Sequence, residues 1–433
     1  MSFIKKHKTE IILFAAAFAV RIVLFLISLK NAGWDFWTIS GGADGYADIA
    51  KNIAAGNGYS MSASAPFLPD SMRLPLYPLI LAAFFFFKAH LAAAIFQIAA
   101  GSFIPIIGYK IASKIISQKN IAFAASLALA VEPFMAELSY VFMTETLFIL
   151  LFLLAVLFII DYFENQKLKW LASSGLLLGL ATLVRPTAQY LPVLIIALIF
   201  WIYRKSLNKK IIIQSAVFLA IFLAVLSPWI FRNYKTFGAA ALSSQSAFNL
   251  YGYLAPSTIA LETGQNFQSV KNDLFKNLNL TTENLDLSNA SRFKKESYKI
   301  ILEHPAGLIK SAAITIFQFF THDRYFDTFK DFGYFKNINP GIGSAKDLFL
   351  SGKIIFVLTR MLWIFLTAAF FCGIFSYYKN NGLSAAFLLF LIIVFYFALT
   401  SIITGLGITG RIRMPINAFI LIFAFYGLMK KSA

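Results

Sequence analysis

Apolar residues in this chain come in long unbroken runs and not in alternation. Stretches such as "IILFAAAFAV" (11–20) and "LFLLAVLFII" (151–160) show no polar residue at every second place. The period of a half-buried strand is therefore absent, and helices are the consistent reading. The runs fall at about residues 11–29, 91–112, 119–135, 143–160, 170–184, 187–203, 211–231, 353–378, 384–404 and 413–429. About 20 apolar residues in a helix cross the hydrocarbon of a bilayer. There, only a helix or a closed barrel satisfies its own backbone polar groups. The pattern predicts an all-α polytopic membrane protein with about ten transmembrane helices. The run at 119–135 is the weakest, because Glu132 and Pro133 interrupt it.

Two further apolar stretches, 74–87 and 304–320, are short. They suit helices lying on the outer membrane face better than crossings. Three regions follow: an N-terminal transmembrane region (1–231) with a large first outer loop (30–90), an extracytoplasmic α-rich region (232–352), and C-terminal transmembrane helices (353–433). An amphipathic helical pattern near 288–303 lies in the second.

Charge orients the helices. With the N-terminus in the cytoplasm, the inner ends read "KKHK", "KIASKIISQKN", "DYFENQKLKW", "IYRKSLNKK", "YYKNN" and "KKSA". All carry lysine, as cytoplasmic flanks do, and both termini come out cytoplasmic. The net charge of +18 is thereby accounted for without a nucleic-acid partner. The single cysteine, Cys372, excludes a disulfide framework within the chain and a multi-cysteine metal site.

Several arginines break this bias. Arg21 lies inside the first run, Arg185 in "LVRPTAQY", Arg232 at the start of "RNYKTFG", and Arg411 and Arg413 in "GRIRMP". All but Arg21 sit at outer span ends. There they mark an anion site, against the plainer alternative of snorkelling to head groups. A guanidinium fork matches phosphate oxygens, so the expected anion is a lipid phosphate or pyrophosphate. The same face carries Asp44, Asp48, Asp70, Glu132, Glu137 and Glu145. In "DGYADIAKNIAAG", Tyr46, Ile49, Ala50 and Ile53 share one helical face, Asp44 fits an N-cap, and Asp48 fits a solvated position. Equally, a carboxylate beside arginines suits proton abstraction from an acceptor while a phosphate departs.

Motif order then supplies a resemblance. "DGYADIAKNIAAGNGYS" (44–60) with "RLPLYPLILAAFF" (73–85), "VEPFMAELSYVFMTETLF" (131–148), "GLLLGLATLVRPT" (175–187), "LSPWIFRNYKTFG" (226–238) and "GRIRMPINAFILIFAFYGL" (410–428) resemble segments of the GT-C class of integral-membrane glycosyltransferases. The resemblance is to the protein O-mannosyltransferase and aminoarabinose-transferase-like superfamily within that class. It implies a GT-C-like fold and an inverting transferase moving sugar from a polyprenyl-phosphate carrier to a glycan, lipid or protein acceptor. The reaction would take place at the outer face of the cytoplasmic membrane. It also implies Asp44 as general base, with Glu145 positioning the acceptor or helping to hold a divalent cation. Asp48, Tyr46, Tyr59, Arg73, Arg185, Arg232, Asn233, Arg411 and Arg413 would bind substrate. The residues themselves assign no cofactor, and the metal question stays open. The chain departs from the family at its acidic position. That residue usually stands three or four places before the tyrosine, where this chain has Gly42 and Ala43. Asp44, Asp48 and Asp35 are the alternatives for its role. A flippase or polymerase of lipid-linked glycans, and an inactive relative that binds the carrier, are the competing functions.

Overall fold

A computed structural model describes residues 7–32, 44–277, 285–323, 353–408 and 410–430. Asp35 lies outside them. The apolar runs become helices α1 (Lys8–Ala32), α2 (Tyr46–Ala54), α3 (Leu76–Phe86), α4 (His90–Ile115), α5 (Lys119–Val131), α6 (Pro133–Glu137), α7 (Glu145–Asn165), α8 (Leu168–Val184), α9 (Leu191–Ile202) and α10 (Lys209–Phe237). Next come α11 (Gln245–Asn249), a π-helical turn (Leu250–Leu254), α12 (Ala255–Thr263), α13 (Phe267–Asn277), α14 (Ala290–Glu303) and α15 (Pro305–Thr321). The chain closes with α16 (Lys353–Asn381), α17 (Ala385–Ser401) and α18 (Asn417–Met429). Among the described residues extended pairing is limited to an isolated bridge, Ser60 to Pro69. The expected all-α polytopic architecture holds.

Six helices among the described residues are long and apolar enough to cross a membrane, starting at Lys8, His90, Glu145, Lys209, Val357 and Ala385. α14 and α15, bent by 101° at their junction, make a seventh if they count as one span. The other four expected crossings are shorter. α5 has 13 residues and α8 has 17, about 20 and 25 Å at 1.5 Å per residue. α5 stops where Glu132 and Pro133 interrupt the run. Glu132 leaves the helix and its carboxylate accepts Met135 N, capping α6. The bundle core is continuous from α1 to α18, and a smaller separate cluster holds Tyr251, Phe275, Leu285, Leu287 and Phe293.

Alternation sorts the connections to two ends. At the basic end, Lys114 Nζ bridges Asp161 at 2.8 Å and Glu164 at 2.6 Å, joining the ends of α4 and α7. The opposite end gathers residues 44–75 ahead of α3, the α6–α7 connection, the α8–α9 turn and the break between α17 and α18. Arg21 belongs to neither end. Its Nη1 donates to Ala17 O (3.0 Å) and Ala130 O (2.9 Å), so it caps the interrupted α5 inside the bundle.

The lysine pattern predicts that the basic end is cytoplasmic. In a Cys372→Ala background, Ser269→Cys, exposed on α13, should react with a membrane-impermeant maleimide in intact cells. Ser206→Cys, exposed between α9 and α10, should react only after the membrane is opened. The reverse pattern would overturn the orientation.

Candidate active site

The loop before α2 turns sharply at Gly45, whose φ of 72° favours glycine and whose added Cβ would meet Met61 Cε at 2.4 Å. The turn leaves α2 without a side-chain cap, so Asp44 is not an N-cap. Its backbone oxygen accepts Arg73 Nε at 2.8 Å, and its Oδ2 accepts Arg411 Nη2 at 2.8 Å. Buried Ala47, Ile49 and Ala50 seat α2, and the Tyr46 ring meets Tyr77 edge-on at 5.5 Å between centroids.

Glu145 opens α7, where the helix dipole favours a carboxylate. Its side chain is only 2% exposed, and its Oε1 accepts from two guanidiniums, Arg185 Nη1 at 2.5 Å and Arg411 Nε at 2.6 Å. Arg185 reaches it from the extended residue that ends α8, a conformation set by the following Pro186. Arg185 Nη1 also lies 3.4 Å from Thr144 Oγ1. Arg411 comes from the short 3-10 turn Gly410–Ile412. The preceding stretch is pinned at Gly405, whose φ of 47° and ψ of −136° no other residue adopts readily. There Thr315 Oγ1 donates to Gly405 O at 3.2 Å, and Leu406 N donates to Ser257 Oγ at 2.9 Å.

The result is a file of alternating charge, Asp44, Arg411, Glu145, Arg185, drawn from four chain segments. Burial of Arg411 acts to lower its pKa, but Glu145 and Asp44 more than offset this and hold it above the usual arginine value. The Tyr46 hydroxyl beside the file is pushed up, by burial first and by the Asp44 and Glu145 carboxylates against the pull of Arg185 and Arg73. Asp44, 34% exposed, is the carboxylate of the file that an incoming molecule can reach. Both carboxylates are engaged by guanidiniums. Among the described residues no group of three or more His, Cys, Asp or Glu side chains is placed to hold a metal ion.

Other expected site residues lie apart from the file. Asp48 pairs with Lys51 at 3.3 Å and is 42% exposed, as the solvated alternative held. Arg232 Nη1 donates to Asp70 O (2.8 Å) and Asn233 Oδ1 (2.9 Å), and its guanidinium stacks over Trp229 at 4.6 Å. Asn233 is buried and donates to Ala241 O and Leu242 O. Both tie α10 to neighbouring loops. Tyr59 donates to Arg73 O at 3.2 Å and packs on Trp229. Asp70 accepts Met72 N and Arg73 N, and burial pushes its carboxyl up despite Arg73 nearby. Arg413, two residues from Arg411, is buried and donates to Phe320 O at 3.0 Å while stacking 3.5 Å over Trp363. It secures the C-terminal end of α15 and does not pair with Arg411 in an anion site. Thr144, Gly45, Ser257 and Thr315 were not singled out in the sequence. Of these, only the glycine beside Asp44 carried a local signal.

Comparison with known proteins agrees with the motif reading. Residues 72–231 match the family described as dolichyl-phosphate-mannose-protein mannosyltransferase. That match takes in Arg73, Glu145 and Arg185, and leaves out Asp44 and Arg411. No curated protein matches the chain. Among solved structures, an Archaeoglobus fulgidus oligosaccharyltransferase tethered to an acceptor peptide superposes at a TM-score of 0.50 with 13% identity, over 99% of this chain and 50% of that one. The archaeal oligosaccharyltransferase AglB from Archaeoglobus fulgidus, in complex with an inhibitory peptide and a dolichol-phosphate, gives 0.50 and 13%, over 95% and 50%. The chain thus spans about half the length of these structures, and what it shares with them is the fold. The resemblance to GT-C glycosyltransferases is borne out.

Removing a buried partner leaves charge uncompensated, at a cost of about 3–5 kcal/mol. Glu145→Ala takes the carboxylate from Arg185 and leaves Arg411 with Asp44 alone, and should lower unfolding stability by that order. Asp48→Ala, in an exposed pair, should change it by less than about 1 kcal/mol. Thermal unfolding in detergent measures both, and equal stability of the two variants would contradict the arrangement.

Proposed function

We propose that this chain is an inverting glycosyltransferase that moves sugar from a polyprenyl-phosphate carrier to an acceptor at the outer face of the cytoplasmic membrane. The observation that carries the reading is Arg411, held between the reachable carboxylate of Asp44 and the buried one of Glu145 at the end of an apolar bundle. The family match over 72–231 supports transfer of sugar. The dolichol-phosphate solved with the archaeal neighbour accords with a lipid-phosphate donor.

In this reading Asp44 takes the proton from the acceptor hydroxyl or amine. The freed lone pair attacks the anomeric carbon opposite the phosphate. The carbon–oxygen bond to phosphate breaks, its electrons leave with the phosphate, and the configuration inverts. Arg411 and Arg185 neutralise the departing charge. Glu145, too buried to touch an acceptor, acts as the positioning residue for both arginines. Donor binding also readies the base. A phosphate oxygen competes with Asp44 for Arg411 Nη2, while Glu145 retains Arg411 Nε. Asp44 Oδ2, no longer held by Arg411, is then open to the acceptor.

Asp44→Asn is nearly isosteric and should give a folded protein whose turnover of a polyprenyl-phosphate sugar falls by about 10²–10⁴. Asp48→Asn, in the first turn of α2 and paired with Lys51, should retain turnover. An active Asp44→Asn would remove the base from this site. Arg411→Lys keeps the charge and loses the fork, so donor use should weaken by about 1.5–3 kcal/mol, roughly ten- to hundredfold. Arg232→Lys should instead act through stability, leaving the turnover of the folded fraction intact. Wild-type donor use in Arg185→Lys and Arg411→Lys alike would rule out the phosphate role.

A further inference from the structure

α14 sits across the end of α15 at 101°, with His304 between them. α15 exposes Ile309 (70%) and Phe317 (59%) in a mostly apolar sequence whose exposed Lys310 donates to Leu261 O, a surface suited to the acyl boundary. α14 carries four basic and two acidic residues, too many charges for hydrocarbon, so its contact with a membrane is at the level of the head groups. One face of α14 is occupied. Ala290, Phe293 and Ser297 are buried, and Phe293 packs with Tyr251 and Phe275 in the smaller core.

At about 100° per residue, the opposite face presents Arg292, Lys295 and Lys299 in one line, with Tyr298 and Leu302 along its flank. Glu296 and Glu303 fall on the other flank. Leu302 is 79% exposed and Tyr298 54% exposed. A helix facing only water gains nothing from a bare leucine and tyrosine beside its lysines. At a bilayer surface each group has a use: the leucine and the ring enter the acyl boundary, and the lysine stems follow them with their ammonium groups among the head groups. Charge complementarity selects the head group.

We propose that this face of α14, centred on Arg292, Lys295, Lys299, Tyr298 and Leu302, binds the head groups of anionic lipids. The surface is separate from the Asp44–Arg185 file and does not depend on the glycosyltransferase reading. Its occupant is a lipid anion held at the interface, recognised by three cations and anchored by two apolar side chains.

The test uses the full chain with Cys372→Ala and Leu302→Cys, labelled with a fluorophore, in proteoliposomes of mixed phosphatidylcholine and phosphatidylglycerol. Brominated phosphatidylglycerol should quench the label more than brominated phosphatidylcholine does in the same mixture. Added salt should reduce that preference. The triple variant Arg292→Gln, Lys295→Gln, Lys299→Gln should abolish it. These positions are exposed, so the fold should tolerate the changes. Equal quenching by the two lipids would show lipid contact without charge recognition and overturn the proposal. Absence of quenching by either would place the face in water or on a soluble partner, and would overturn it as well.

Discussion

A single carboxylate oxygen organises this protein. Glu145 Oε1, at the head of α7 and buried, accepts from both Arg185 and Arg411. In so apolar a bundle a lone carboxylate is expensive, and so is each guanidinium. Each of the three makes the others tolerable. Because the partners come from α7, the end of α8 and the turn before α18, satisfying that oxygen draws these segments to one point. Arg411 then has its outer nitrogen left for Asp44, and the first loop is recruited to the same point.

The surrounding devices hold this arrangement in register. Gly45 turns the loop so that Asp44 faces Arg411 and not the end of α2. Arg73 grips the Asp44 carbonyl, and Asp70 fixes the turn that carries Arg73. On the other side, Ser257 and Thr315 clasp Gly405 and Leu406 ahead of Arg411. Arginines that look alike in the sequence thus divide their work. Arg185 and Arg411 meet carboxylates, whereas Arg21, Arg232 and Arg413 donate to backbone carbonyls near helix breaks and loops. A guanidinium serves either use, because its donors suit a carbonyl at a helix end as well as an anion.

Much of the fold was legible from one dimension. Unbroken apolar runs require helices in hydrocarbon, lysine marks alternate turns, and Glu132 and Pro133 announce the break after α5. Asp44, Glu145, Arg185 and Arg411 were also visible, as charges at span ends where charge is costly. Their neighbours Asp48, Arg232 and Arg413 gave the same signal and lie apart from the file. Along the chain, Asp44 and Asp48 are close neighbours on either side of the Gly45 turn, and Arg411 and Arg413 are close neighbours too. What separates them is the direction each side chain takes.

The sequence by itself determined a helical membrane protein, the ends at which its polar chemistry collects, and the residue types available there. That follows because hydrocarbon penalises any unsatisfied backbone and any stray charge, position by position. Only the tertiary structure decided that Asp44 is not a cap, that Arg413 is a strut under α15, and that Glu145 is shared. Those outcomes depend on contacts between residues 40 to 367 positions apart. Direction, reach and burial at such separations are set by how the helices pack, and no local pattern encodes them.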